Sequence, residues 1–137
     1  MKKLAILAAS GTTNAMAQLM NLVMAAVASQ IAVRVFFRDA AVLKLTKDGA
    51  ATMNLSAEWQ PRAAAITAQL KAHKLDNLPA LIRDVKSLGD AKFYACSSSL
   101  SLAGLDAKQL LPEIDAVRGL TSFLLEEMAT ADQVMSC

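Results

Sequence analysis

The chain has 137 residues, 55% of them hydrophobic and 19% charged, with a formal net charge of +2. That size and composition imply one folded domain spanning 1–137 and exclude a disordered segment, which could not offset its ordering entropy. Two cysteines exclude a disulfide scaffold, while weak charge, 4% aromatics and basic runs no longer than two residues exclude a nucleic-acid-binding arm.

No charged residue stands between Lys3 and Arg34, so a membrane span or a secretory leader is weighed first. Lys2 and Lys3, the apolar Leu4 to Ala9 and the A-x-A-like Ala15-Met16-Ala17 imitate a leader. Against both, Ser10-Gly11-Thr12-Thr13-Asn14 breaks the apolar run after six residues, and Gln18, Asn21, Ser29 and Gln30 suit neither. The segment reads as a first strand and helix of a soluble, cytoplasmic protein without a membrane span.

Lys3 to Ala9 fits a strand buried on both faces, as parallel sheets require. Thr12 or Thr13 caps a helix predicted to run to about Ser29, with Met16, Leu19, Met20, Val23 and Val27 as its core stripe. Leu22, Met24 and Ala26 lie off that stripe, so the helix is apolar nearly all round and a partner subunit is the simplest cover. Ile31 to Phe37, β-branched and aromatic, predicts a second strand. A short helix is expected over Asp39 to Lys47. Asp48 to Pro61, with Gly49, Asn54 and Trp59, then reads as a long irregular lid or edge loop.

Arg62 to about His73 is helical by composition, and Asn77-Leu78-Pro79 opens a further helix that stops at Gly89. Ala91 to Cys96 predicts the third strand, and Ser97 to Leu102 a turn and short helix halted at Gly104. Asp106 caps one more turn before Pro112. A brief strand at Ile114 to Val117, a helix from Gly119-Leu120 to near Ala129 and a closing strand at Gln133 to Cys137 complete the chain. Alternating strands and helices mean a layered α/β fold with a mainly parallel sheet of about five strands.

Ligands of such sheets bind at the carboxyl ends of the strands, and two of those ends stand out. Ser10-Gly11-Thr12-Thr13-Asn14 is small and hydroxyl-rich; it is either an ordinary capped turn or a cradle for a small anion. Cys96 ends a strand and is followed by Ser97-Ser98-Ser99. If a helix starts there, the helix dipole lowers the thiol pKa and the cysteine becomes a nucleophile; otherwise it is buried filler. The C-x-x-S pattern lacks the resolving thiol of a C-x-x-C redox site. Cys137 either exchanges with Cys96, if the last strand ends nearby, or is incidental. His73 looks solvated, and no pair of histidines or carboxylates has the spacing of metal ligands, so neither a metal nor another cofactor is expected.

Three segments together resemble the DsrE/DsrF-like family of small sulfur-handling proteins. They are Lys3-Leu-Ala-Ile-Leu-Ala-Ala-Ser-Gly-Thr-Thr, Ala32-Val-Arg-Val-Phe-Phe and Phe93-Tyr-Ala-Cys-Ser-Ser-Ser-Leu-Ser-Leu-Ala-Gly-Leu. The last is similar to a family signature of a cysteine with a glycine eight residues on, here Cys96 and Gly104. The resemblance implies a Rossmann- or flavodoxin-like three-layer sandwich with helices on both faces. It also implies a homo-oligomer, such as a trimer, tetramer or hexamer, and a cysteine that takes up sulfane sulfur or thiosulfate and passes it to a TusA-like acceptor. On this chain that role falls to Cys96, with Ser97, Ser98, Ser10, Gly11 and Thr12 as candidate binding residues. The competing readings are an oligomeric binding or assembly module with a structural Cys96, and a thiol peroxidase or redox sensor in which Cys137 resolves.

Overall fold

In the computed structural model, which describes residues 1–137, the apolar runs form five parallel strands. These are β1 (Lys3–Ala8), β2 (Ala32–Phe37), β3 (Ala91–Cys96), β4 (Ala116–Arg118) and β5 (Gln133–Ser136), in the order β4-β3-β2-β1-β5. From β1 to β4 the chain steps sideways in one direction, so right-handed crossovers put the intervening helices on one face. The return from β4 to β5 crosses back over the other face. The result is a three-layer, Rossmann-like α/β sandwich.

Side chains alternate along each strand, and the two faces have different cores. Leu4, Ile6, Val33, Val35, Phe37, Phe93 and Ala95 point to the first face. There they meet α1 (Thr13–Ala28), which supplies Met16, Leu19, Met20, Val23 and Val27, and α4 (Leu78–Leu88), which supplies Leu78, Ile82 and Val85. Ala5, Phe36, Tyr94 and Cys96 point to the second face. Their cover is α6 (Leu120–Phe123), which continues as a π-helical turn over Leu124–Met128. Phe123 is fully buried there, its ring 4.8 Å from that of Phe36 and edge-on to Tyr94 at 6.1 Å. Glu127, buried on the same face, pairs with Lys3 at 3.0 Å and Arg34 at 3.3 Å.

Several expectations change. Between β2 and the next helix the chain forms a 3₁₀ turn at Asp39–Leu45, not a regular helix through Lys47. The stretch Asp48 to Pro61 is neither irregular nor a lid. It holds α2 (Lys47–Ala51), an extended piece and a 3₁₀ turn at Ala57–Arg62. That strap is tied down: the Thr13 N–H donates to the Asn54 carbonyl at 2.7 Å, and Asn14 exchanges two hydrogen bonds with Ser56 at 2.8 and 3.0 Å. Buried Lys44 donates to Thr13 Oγ1 at 3.1 Å and to the Thr52 carbonyl. Burial pushes its ammonium pKa down.

The apolar girth of α1 is covered largely from within the chain. Ala17 packs against Leu55 of the strap and Leu70 of α3 (Ala63–Ala72), while Leu22 and Met24 lean on the main core. Gln18, Asn21, Ala25 and Ala28 face outward. The fourth strand also starts two residues later than expected. Ile114 is spent in the first-face core, and Asp115 accepts the Phe93 N–H at 2.7 Å and pairs with Lys86 at 2.6 Å before pairing begins. No helix is long and apolar enough to cross a membrane.

Because Phe123 is the fully buried side chain that α6 packs onto Phe36 and Tyr94, Phe123→Ala is expected to cost about 3–5 kcal/mol of unfolding free energy. Urea denaturation checks this; a loss below about 1 kcal/mol would mean that α6 contributes little to the fold.

Candidate functional site

Cys96 is the last residue of β3 and directly precedes α5 (Ser97–Ala103), which Gly104 ends with a left-handed φ of 68°. A β-strand turning straight into a helix brings the next serines back over the strand end. Cys96 Sγ lies 3.2 Å from Ser98 Oγ. Burial pushes the Cys96 thiol up, but hydrogen bonds from the Ser98 and Ser99 hydroxyls and from their backbone N–H groups outweigh it. Its pKa therefore falls below the ordinary thiol value.

Ser99 is itself oriented from behind. Asp39, in a left-handed conformation with φ of 50°, donates its N–H to Ser99 Oγ at 2.8 Å. Sequence reasoning chose Ser97 and Ser98 and passed over Ser99. Ser97 is exposed and does not hydrogen-bond the sulfur, because the first turn of α5 carries it outward. The run of three serines was visible; which two curl back depended on where the helix began.

Cys96 is 3% exposed and packs with Ala5, Phe36, Tyr94 and Phe123, at the end of its strand. Its serine neighbours are the link to solvent. Ser98 and Ser99 line an open cleft of about 480 Å³ together with Ala9, Arg38, Asp39 and Leu102.

The turn Ser10-Gly11-Thr12 is held apart from this cluster, at the end of β1. Cys96 stands two strands away, on the order of 10 Å. Its amides are partly spent, since the Thr13 N–H goes to Asn54 and the Ala15 N–H to Thr12 Oγ1 at 3.3 Å. Ser10 Oγ and Thr12 Oγ1 face each other at 3.3 Å. Gly11 is required by a close approach, because a Cβ there would sit 2.3 Å from the Ala40 carbonyl oxygen.

Cys137 is likewise remote. It extends the pairing of β5, donating its N–H to Leu7 and accepting from Ala9, both at 2.9 Å. With Ala8, Ser10, Met16 and Leu19 it lines a pocket of about 230 Å³ on the first face. Although the residue is exposed as a whole, partial desolvation of its thiol against the pocket pushes its pKa up. Cys96 lies three strands off, roughly 15 Å, and faces the opposite side of the sheet. A disulfide needs Cα atoms within about 7 Å, so of the two alternatives for Cys137 the exchange with Cys96 does not fit this fold. His73 caps the end of α3 and borders a pocket with Trp59, away from both cysteines. No three His, Cys, Asp or Glu side chains come together as a metal-binding group.

The opposite pKa shifts predict that Cys96 reaches half-maximal alkylation at a lower pH than Cys137. Ser98→Ala should move the Cys96 midpoint upward and leave Cys137 unchanged. Mass-resolved iodoacetamide labelling across pH checks both; a Cys96 midpoint at or above that of Cys137 would contradict the geometry.

Comparison with known proteins adds a family and a fold. The model of the DsrE/DsrF-like family matches residues 2–137. No curated protein matches the chain. Among solved structures, a protein of unknown function from Methanobacterium thermoautotrophicum is similar with a TM-score of 0.60 at 14% identity, over 98% of this chain and 99% of that one.

Proposed function

The chain belongs to the DsrE/DsrF-like family, and on that premise we propose that Cys96 accepts a sulfane sulfur and hands it to the thiol of a partner protein. The observation that carries this reading is a thiol at a strand end whose hydrogen-bond donors, Ser98 and Ser99, outweigh its burial. A thiolate attacks sulfane sulfur; a thiol hardly does.

In the first step the Cys96 thiolate attacks the outer sulfur of a donor X–S⁻. A new S–S bond forms, the bond from sulfur to X breaks, and X leaves with the electron pair. The product is Cys96–S–S⁻, and the donors that held the thiolate now face its negative charge. In the second step an acceptor thiolate attacks the outer sulfur, and Cys96 leaves as the thiolate. No general base is needed in either direction.

Ser98, which touches Sγ and also lines the open cleft, is the side chain through which a donor reaches the sulfur in this reading. The Ser10–Thr12 turn is assigned a positioning role, through Gly11 and its contact with the Arg38–Ala41 segment. A TusA-like acceptor and a homo-oligomeric assembly in the cytoplasm are the partners and setting that family membership supports.

One observation favours a second reading. At 3% exposure Cys96 has the burial of a structural cysteine in a binding or assembly module. Sulfur loading separates the two. Incubation with polysulfide is expected to add sulfur to the wild type and to Cys137→Ser, as read by intact mass, and none to Cys96→Ser. No added sulfur on the wild type, or an adduct that survives Cys96→Ser, would overturn the proposal in favour of the structural reading.

A further inference from the structure

The chain's only tryptophan takes no part in any hydrophobic cluster. Trp59 stands in the 3₁₀ turn at Ala57–Arg62, is 39% exposed and stacks on no other ring. The turn is nevertheless tied at its start. Asn14 exchanges its two hydrogen bonds with Ser56, the residue just before the turn. The Trp59 N–H donates to the Ser56 carbonyl at 3.0 Å, and Gln60 Nε2 donates to the Leu55 carbonyl at 2.9 Å.

Trp59 lines a pocket of about 320 Å³ between this turn, α1 and α3. That volume falls at the lower end of the roughly 300–1,000 Å³ of small-molecule sites. From α3 the pocket takes Ile66, Gln69, Leu70 and His73, one stripe at steps of three and four. From α1 it takes Gln18, one turn on from Asn14. The side-chain hydrogen bonds of this region are those of Asn14, Ser56 and Gln60, and none engages Gln18, Gln69, His73 or the Trp59 indole. Each glutamine amide therefore keeps a donor and an acceptor unspent, and the indole keeps a donor. No Asp, Glu, Lys or Arg lines the pocket.

We infer that this pocket binds an uncharged, planar heteroaromatic ring of the nucleobase type, with both a donor and an acceptor on its edge. The faces of such a ring suit the indole and the aliphatic side chains, and its edge suits the amides. A sugar carries hydroxyls all round its ring and would leave some of them unpaired against Ile66 and Leu70. A phosphate or carboxylate would find no lysine or arginine to pair with. The pocket lies on the α1 side of the sheet, whereas Cys96 packs on the second face, so this site is separate from the sulfur chemistry and does not depend on it.

Because Trp59 is the only tryptophan, its fluorescence reports this pocket alone. Titration of the full chain with adenosine is expected to change the emission saturably, and calorimetry should return the same dissociation constant. Gln69→Leu should weaken binding about three- to tenfold, the effect of one lost neutral hydrogen bond. Trp59→Ala, read by calorimetry, should weaken it about tenfold or more through lost stacking, with Trp59→Phe in between. Both positions are exposed, so neither change empties the core. AMP should bind no tighter than adenosine. The absence of a saturable signal from both adenosine and uridine, or binding that Gln69→Leu or Trp59→Ala leaves unchanged, overturns the site. Saturable binding of maltose but of neither nucleoside overturns the ligand class, as does binding of AMP about tenfold tighter than adenosine.

Discussion

Hydrogen bonds aimed at one sulfur atom decide what this molecule can do. Covering a thiol disfavours its ionised form, so a buried cysteine is ordinarily inert. At Cys96 the cover is apolar on the sheet side, from Ala5, Phe36, Tyr94 and Phe123, and donors stand on the helix side, at Ser98 and Ser99 of the first turn of α5. The cost of burial from the one is outweighed by the hydrogen bonds of the other. That balance turns a strand-end cysteine from packing material into a candidate nucleophile. Ser99 is held in this duty from a different strand end, through the N–H of Asp39. The sulfur site therefore joins the ends of β2 and β3 and does not belong to one loop.

The rest of the fold serves that juncture. Parallel pairing of β3 and β4 sets Cys96 abreast of Arg118, with the end of β2 alongside, Phe37 opposite Ala95. Phe123, seated between Phe36 and Tyr94, closes the second face directly below them. On the first face the β1 end and the Arg38–Ala41 segment press together at Gly11, where a side chain would collide with the Ala40 carbonyl. The strap and buried Lys44 brace the start of α1 beside it. Most of the polar chemistry of Ser10 to Asn14 goes into this bracing, which is why a hydroxyl-rich turn at a strand end need not be a ligand cradle.

What the sequence made legible follows the range of the forces involved. Short apolar or β-branched runs such as Leu4 to Ala9 and Ile31 to Phe37 fit strands buried on both sides, so strand number, direction and layering were readable. The helix stripe of α1 was readable for the same local reason. The strap was not. Asn54, Ser56 and Thr52 look like loop residues, and their order comes from bonds to Thr13, Asn14 and Lys44, far away in the chain. Cys96 could be singled out because a strand end followed by three serines is a local pattern. The hold on Ser99 could not, since it comes from the N–H of Asp39, at the end of another strand sixty residues earlier. Whether Cys137 ends near Cys96 had to stay open, because it depends on strand order, which local pattern does not carry.

The most direct test of the account is the position of bound sulfur in the wild-type chain. After loading with a sulfane donor and trapping with an alkylating reagent, peptide mass mapping should find the extra sulfur on the peptide that contains Cys96, with Cys137 unmodified by sulfur. Extra sulfur on Cys137, with Cys96 recovered as an unreactive thiol until the protein is denatured, would contradict it.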